Sequence, residues 1–328
     1  MHDVPWIDGH VDMASLAVEG RDIRSRCEDP DKGCISVPDL QASPVRVIFG
    51  TIFTAPAAND SEPDPCLYAD ITQARQTGLR QLEVYEALQR DGLARLNHGV
   101  LELPEPGEPL VIHLLMEGAD PIDGPEDVAW WRSRGLRMVG LTWSRGTRYA
   151  GGNDCEHGLT TEGRELVAAL DEAGIVHDAS HCSDRSLEDL LDSATGTIVA
   201  THSNSRTLIG RDNQRFLSDD HARAILDRGG VIGLNLFTRQ VRAEGRATMQ
   251  DCIEHVLHFC ELAGNRTQVA LGSDADGGFT PELLPIGLEH PSRFGQLLHG
   301  LAESGFSEEE LAGFAHGNWI RCLAGKSA

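Results

Sequence analysis

What most limits the fold of this chain is a rhythm. Short apolar runs of six to nine residues recur eight times, with longer helical patterns between most of them. The runs are VPWIDGHVD (4–12), VRVIFGTIF (45–53), LVIHLLMEG (110–118), RMVGLTW (137–143), GIVHDAS (174–180), TIVATH (197–202), GVIGLNL (230–236) and QVALGSD (268–274). Apolar runs of this length alternating with helices are the signature of parallel βα units. Eight of them predict an α/β fold of the (β/α)8, TIM-barrel type. At 328 residues the chain is long enough for one such barrel, so a single domain over 1–328 is expected. Helical patterns are read at 71–96, 160–173, 184–194, 218–228 and 249–263, and a pair at 292–304 and 307–323 closes the chain. The stretch TAPAANDSEPDP (54–65) reads as a loop.

A second regularity lies at the ends of the runs. Nearly every one finishes in a residue capable of chemistry: His10 and Asp12, Glu117, Trp143, Asp178 and His181, His202, Asn235, and Asp274. In a barrel of this kind the reaction takes place at the C-terminal ends of the strands. His10 and Asp12 stand two apart, which on a regular strand puts both on one face.

Three imidazoles and three carboxylates (His10, Asp12, Glu117, His181, His202, Asp274) cannot share one mouth without compensating charge. Divalent metal is the compensation that mixed His and carboxylate donors suit, zinc in particular. Six donors are too many for one tetrahedral ion, and a two-metal site with a bridging carboxylate fits the count. Asp178 and Asp276 read as carboxylates that orient or brace the site. His113 and His177 read as interior packing or as partners of ligands. His255 and His258 fall on a helical pattern and read as outer surface. The Gly- and Arg-rich SRGTRYAGGNDCEHG (144–158) reads as a lid, with Arg145, Arg148 and Tyr149 as candidate substrate contacts.

Composition narrows the partners. With 28 Lys and Arg against 51 Asp and Glu the formal charge is −23, which repels nucleic acid and anionic lipid. No run approaches the roughly 20 apolar residues that span a bilayer, and no signal peptide is read at the start. The eight cysteines form no CxxC pair and no disulfide framework, so reduced thiols and a cytoplasmic location are expected.

DGHVD, MEG, DASH, THSNSR and GSDADGG, in this order and spacing, resemble the motifs of the membrane (renal) dipeptidase family of metallopeptidases. The resemblance runs from about residue 6 to 322 and takes in LSDD and the closing GNWIRCL. It implies a barrel with two zinc ions. His10, Asp12 and Glu117 would hold one, and Glu117, His181 and His202 the other, with Glu117 bridging. Asp274 would handle the proton. An Arg after the second His motif would anchor a dipeptide's carboxylate, Arg215 first and Arg211 second, since a guanidinium meets a carboxylate through two parallel hydrogen bonds. Proteins of this kind are often homodimers. One position departs from the pattern. Trp143 stands where the family usually has a His that contacts the scissile carbonyl, and an indole cannot become a cation. A dipeptidase is the first reading. A hydrolase of another small amide, ester or lactone remains open beside it, as does a catalytically silent metal- or ligand-binding relative.

Overall fold

The computed structural model describes residues 4–58 and 64–324. Eight parallel strands appear where the eight runs lie. They are β1 (Trp6–Val11), β2 (Val45–Phe53), β3 (Leu110–Glu117), β4 (Leu136–Gly140), β5 (Val176–Asp178), β6 (Ile198–Val199), β7 (Ile232–Leu234) and β8 (Val269–Leu271). β1 through β6 pair in sequence order, and β7 pairs with β8. An Ala200–Ile232 bridge joins β6 to β7. The Asp274 amide donates to the His10 carbonyl at 3.2 Å and brings β8 back to β1.

A helix follows each strand: α1 (Met13–Val18), α2 (Ile71–Arg90), α3 (Val128–Ser133), α4 (Thr161–Glu172), α5 (Asp184–Ser193), α6 (Asp219–Asp227), α7 (Met249–Ala263) and α8 (Gly295–Glu303). Their starts are written locally. Thr160, Ser183 and Ser218 each accept a backbone N–H at the first turn, and Thr248 with Asp251 forms a reciprocal capping box. Such caps are each worth about 1 kcal/mol. The 71–96 pattern divides. The helix ends at Arg90, and Ala94–Leu96 forms a short parallel strand against the start of β3. The closing 307–323 pattern also divides, into Glu308–Ala312, a π-helical turn and Asn318–Leu323. Within the loop read at 54–65, Ala55–Pro56 pairs with Leu67–Tyr68, and 59–63 lie outside the described residues.

Side-chain alternation sorts two cores. Ile7, Val47, Phe49, Val111, Leu115, Met138, Val176, Val199 and Ala270 fill the barrel. Trp6, Ile48, Ile112, Leu114, Val139 and Ile198 face the helices. Trp319 plugs the barrel floor. Its indole N–H donates to the Leu271 carbonyl at 2.9 Å, and a Cβ on Gly9 would sit 2.6 Å from its ring. Truncating a buried Trp of this kind costs about 3–5 kcal/mol.

β1 breaks its own alternation. Ile7 lies in the barrel and Val11 against the helices, although both are odd-numbered. The pairing slips between them: the three steps from Asp8 to Val11 span only the two from Ile48 to Gly50 on β2. The extra residue works as a β-bulge, a device found beside active sites because it re-aims a side chain. On a straight strand His10 would face the helices.

Candidate metal centre

The C-terminal ends of the strands open into a cleft of about 390 Å3, whose lining includes Asp12, Glu117, Trp143, His181, His202 and Asp274. At its base five predicted residues converge. His10 Nε2 lies 3.6 Å from Asp12 Oδ2 and 3.5 Å from Glu117 Oε2. The other Glu117 oxygen, Oε1, lies 3.2 Å from His181 Nε2 and 3.6 Å from His202 Nε2. The two Nε2 atoms are 3.0 Å apart. One carboxylate therefore faces two sets of donors, one with each oxygen.

The tautomers follow from the partners. Thr201 Oγ1 gives its hydrogen to Asp178 Oδ2 at 2.5 Å, so the His202 Nδ1 atom 2.9 Å away must donate to it. The Asn153 Oδ1 atom accepts from His181 Nδ1 at 2.9 Å. Both Nε2 atoms are then bare lone pairs aimed at each other and at Glu117 Oε1. That oxygen is buried without a hydrogen-bond partner among the described residues. Three converging lone pairs repel unless a cation stands between them. The spacing fits one, since Zn–N bonds of about 2.0–2.1 Å put tetrahedral ligands about 3.4 Å apart. Gly277 leaves the space open: a Cβ there would lie 2.0 Å from Asp274 Oδ1 and 2.9 Å from Asp12 Oδ2.

The electrostatics agree. Burial, then Arg215 and His10, push His181 well below its usual pKa, and burial does the same to His202, which keeps both imidazoles neutral as ligation requires. Burial opposes a charge on His10, yet Glu117 and Asp12 outweigh it and hold its pKa well above normal. The carboxylates thus draw positive charge to that spot. Burial raises Asp274 to about 7, against one hydrogen bond from Asn235 Nδ2 at 2.8 Å. His181 and Asp274 both adopt left-handed backbone, φ 64° and 59°. Strain of that sort costs about 1–3 kcal/mol per residue and gathers at functional sites.

Arg215 is buried beside the centre. It lies behind the cleft lining: its Nη2 donates to the His202 carbonyl at 2.9 Å and its Nη1 to Ser203 Oγ at 3.4 Å, its Nε has no partner, and no carboxylate pairs with it among the described residues. Arg211 is exposed and donates to the Ala243 carbonyl, outside the cleft lining. Trp143 forms a wall, edge-on to Phe53 with ring centres 5.3 Å apart and 6.0 Å from His181. Tyr149 does not line the cleft. It is buried, and its hydroxyl donates to the Ile122 carbonyl at 2.6 Å under the Arg148 guanidinium. Arg145 lines the rim, while Arg148 turns away to Ile122.

Other expectations resolve into packing. His113 sits toward the opposite end of the barrel, in a cavity of about 30 Å3 with Phe49, Arg137 and Met138. His177 faces the helices and holds Asp171 of α4 at 2.7 Å. His255 corrects the surface reading. It is 1% exposed, accepts the Ser205 N–H at 3.1 Å and meets the Val241 carbonyl, because α7 packs that face against two loops. His258 is half-buried and pairs with Asp219. Asp276 braces rather than ligates, accepting the Cys34 and Ile35 amides at 2.8 and 2.9 Å and pairing with Arg21.

Four contributors escape a strand-end reading. Asp8 is fully buried, accepts from Ser273 N and Oγ at 2.7 and 2.5 Å, and is raised to about 6 by burial. Thr201 orients His202, Thr51 donates to Asp12, and Asn153 holds His181. Asp8 and Thr201 lie inside the motifs DGHVD and THSNSR, where their proximity to ligands is the one local signal.

A parallel barrel whose strand ends bring neutral imidazoles and carboxylates to within ligand–ligand distance is a metallohydrolase scaffold. The sequence profile of the membrane dipeptidase family, peptidase family M19, matches residues 1–326, and the chain belongs to that family. An uncharacterised Klebsiella pneumoniae protein from the pqqA 5′ region is 31% identical over 227 residues, 65% of this chain and 80% of its own length. Dipeptidase aclJ of Aspergillus oryzae is 25% identical over 98% of this chain and 78% of its own. In fold, a Rhodobacter sphaeroides metallopeptidase liganded with a phosphinate mimic of L-Ala-D-Ala superposes with a TM-score of 0.84 at 24% identity. That match covers 98% of this chain and 99% of the other.

Proposed function

We propose that this metallopeptidase hydrolyses dipeptides or closely similar small amides with two divalent ions, zinc being the ion the donors suit. The observation that carries the reading is the division of Glu117. One oxygen turns to His10 at 3.5 Å and the other to His181 and His202 at 3.2 and 3.6 Å. When bound, such ions supply Lewis acidity at the scissile carbonyl and lower the pKa of water.

The chain's own residues do the rest. Asp274, held near neutrality by burial, accepts a proton from water and delivers it to the leaving amine. Arg215, buried with a free Nε, takes the substrate carboxylate through its planar fork. Trp143 and Phe53 exclude water from one side. Such a substrate resembles the L-Ala-D-Ala mimic bound to the Rhodobacter protein. The Trp143 indole also favours a second reading, in which the natural substrate is another small amide, ester or lactone. Thiols such as Cys34, Cys66, Cys182 and Cys252, buried and in no disulfide, suit a reducing cytoplasm.

The test is elemental analysis with two variants. Wild type should hold about two ions per chain. Glu117→Gln should lower both occupancies, while Asp274→Asn should keep the metals and lose roughly 10²–10⁴-fold in turnover. At most one ion in fully loaded wild type would overturn the two-ion centre.

A further inference from the structure

The ligands are not oriented alike. His202 is held from within the barrel wall, by Thr201 and through it by Asp178 on β5. The His10 ring lies tilted by 34° against that of His202, with ring centres 3.7 Å apart. His181 is held from outside the barrel, by Asn153 in the 144–158 segment that follows β4. Asn153 Nδ2 donates to Asp154 Oδ1 at 3.0 Å, which turns its oxygen toward the imidazole.

The backbone of that segment is clamped where it meets the ligand. Gln214, the neighbour of Arg215, donates to the Asn153 and Cys155 carbonyls at 2.9 and 2.7 Å. Gly152 bridges to Cys182, and the Ser183 amide donates to Gly151 at 3.0 Å. The two glycines make the close approach feasible: a Cβ on Gly152 would lie 1.8 Å from the Trp143 carbonyl, and one on Gly151 2.1 Å from that of His157.

We propose that Asn153 is a positioning residue for one half of the metal centre. Its carboxamide oxygen fixes His181 as the Nδ1–H tautomer and aims Nε2 at the position shared with His202 and Glu117. The segment that follows the Trp143 wall thereby sets the affinity of that position and leaves the one at His10 and Asp12 alone. The inference rests on the two-ion reading above. Partners of this kind typically carry 10–100-fold in metal affinity.

The measurement is zinc binding to the full chain by chelator competition, resolved into two constants. Asn153→Leu should weaken one ion roughly 10–100-fold and leave the other within error. Asn153→Asp keeps an acceptor at the same place and should bind both ions at least as tightly as wild type. Asn153→Ala should repeat the Leu result with less bulk, which keeps the test open if Leu misfolds. With Co2+ in place of zinc, the absorption of one position should change in the Leu and Ala variants and that of the other persist. Two ions in wild type with unchanged affinities in Asn153→Leu and Asn153→Ala would overturn this role alone. Equal weakening of both ions, or an Asp variant as weak as Leu, would show a merely structural part and overturn it too. A single ion in wild type would overturn the two-ion reading and this inference with it.

Discussion

At the scale of single residues the site depends on what each atom can donate. His181 and His202 present bare Nε2 atoms because other side chains occupy their Nδ1 hydrogens. Trp143 offers one N–H and no charge where a protonatable ring would stabilise a developing oxyanion. Losing such a donor costs about 10²–10³ in turnover, less where metal shares the task. Wild type should therefore be a poor hydrolase of standard L,L dipeptides, and Trp143→His should raise kcat/KM for them at matched zinc content. The indole is half-buried against Phe53 and His181, so a smaller ring there opens space beside His181. Wild-type values of about 10⁴ M⁻¹s⁻¹ or more would show that the indole is no handicap. The substitution itself was legible in GLTWSRG. The burial of Tyr149 was not, because a hydroxyl's partner 27 residues away leaves no mark on the local pattern.

At the scale of elements, strands and helices are joined by a few polar contacts that the period of neither reveals. His177 on β5 meets Asp171 at the end of α4 at 2.7 Å, and Asp171 also accepts from the Thr195 and Gly196 amides at 2.7 and 2.9 Å. Burial opposes the Asp171 charge, and these hydrogen bonds outweigh it and hold the carboxyl down to about 2. A depressed carboxyl stabilises the fold above its ordinary pKa, and that contribution is lost as pH falls through the folded value. Stability should therefore drop between about pH 4 and pH 2 in wild type. Asp171→Asn should already be weaker at pH 7 and lose less of its urea midpoint across that window. Parallel midpoint curves for the two proteins would exclude the contact as a pH-dependent support. Helix starts such as Thr160, Ser183 and Thr248 were legible because a cap lies within three residues of the backbone N–H it accepts. The division of 71–96 at Arg90 was not, since Ala94–Leu96 becomes a strand by pairing with β3.

At the scale of the whole molecule, folding brings five donors from four strands to one point, and the metal-free protein carries their mutual repulsion. Ions that bind the folded state and not the unfolded chain stabilise by mass action, about 2.7 kcal/mol at a hundred times Kd. Chelation should lower the thermal midpoint by several degrees, and added zinc should restore it. Identical midpoints with and without chelator would mean that no ion is held by the folded centre. What the sequence by itself determined is the order of strands and helices, the barrel they imply, and the set of donors at the strand ends. Each of these is written in a period of two or 3.6 residues or in a run of adjacent residues, and such patterns act locally. Tertiary structure alone decided the rest. The slip between Asp8 and Val11 turns His10 inward, because pairing with β2 sets register and β1 alone cannot. Arg215 rather than Arg211 lies buried against the His202 backbone beside the centre, and Asn153 reaches His181 across 28 residues. Those contacts arise where distant segments meet around a closed barrel, and no local preference encodes a meeting of that kind.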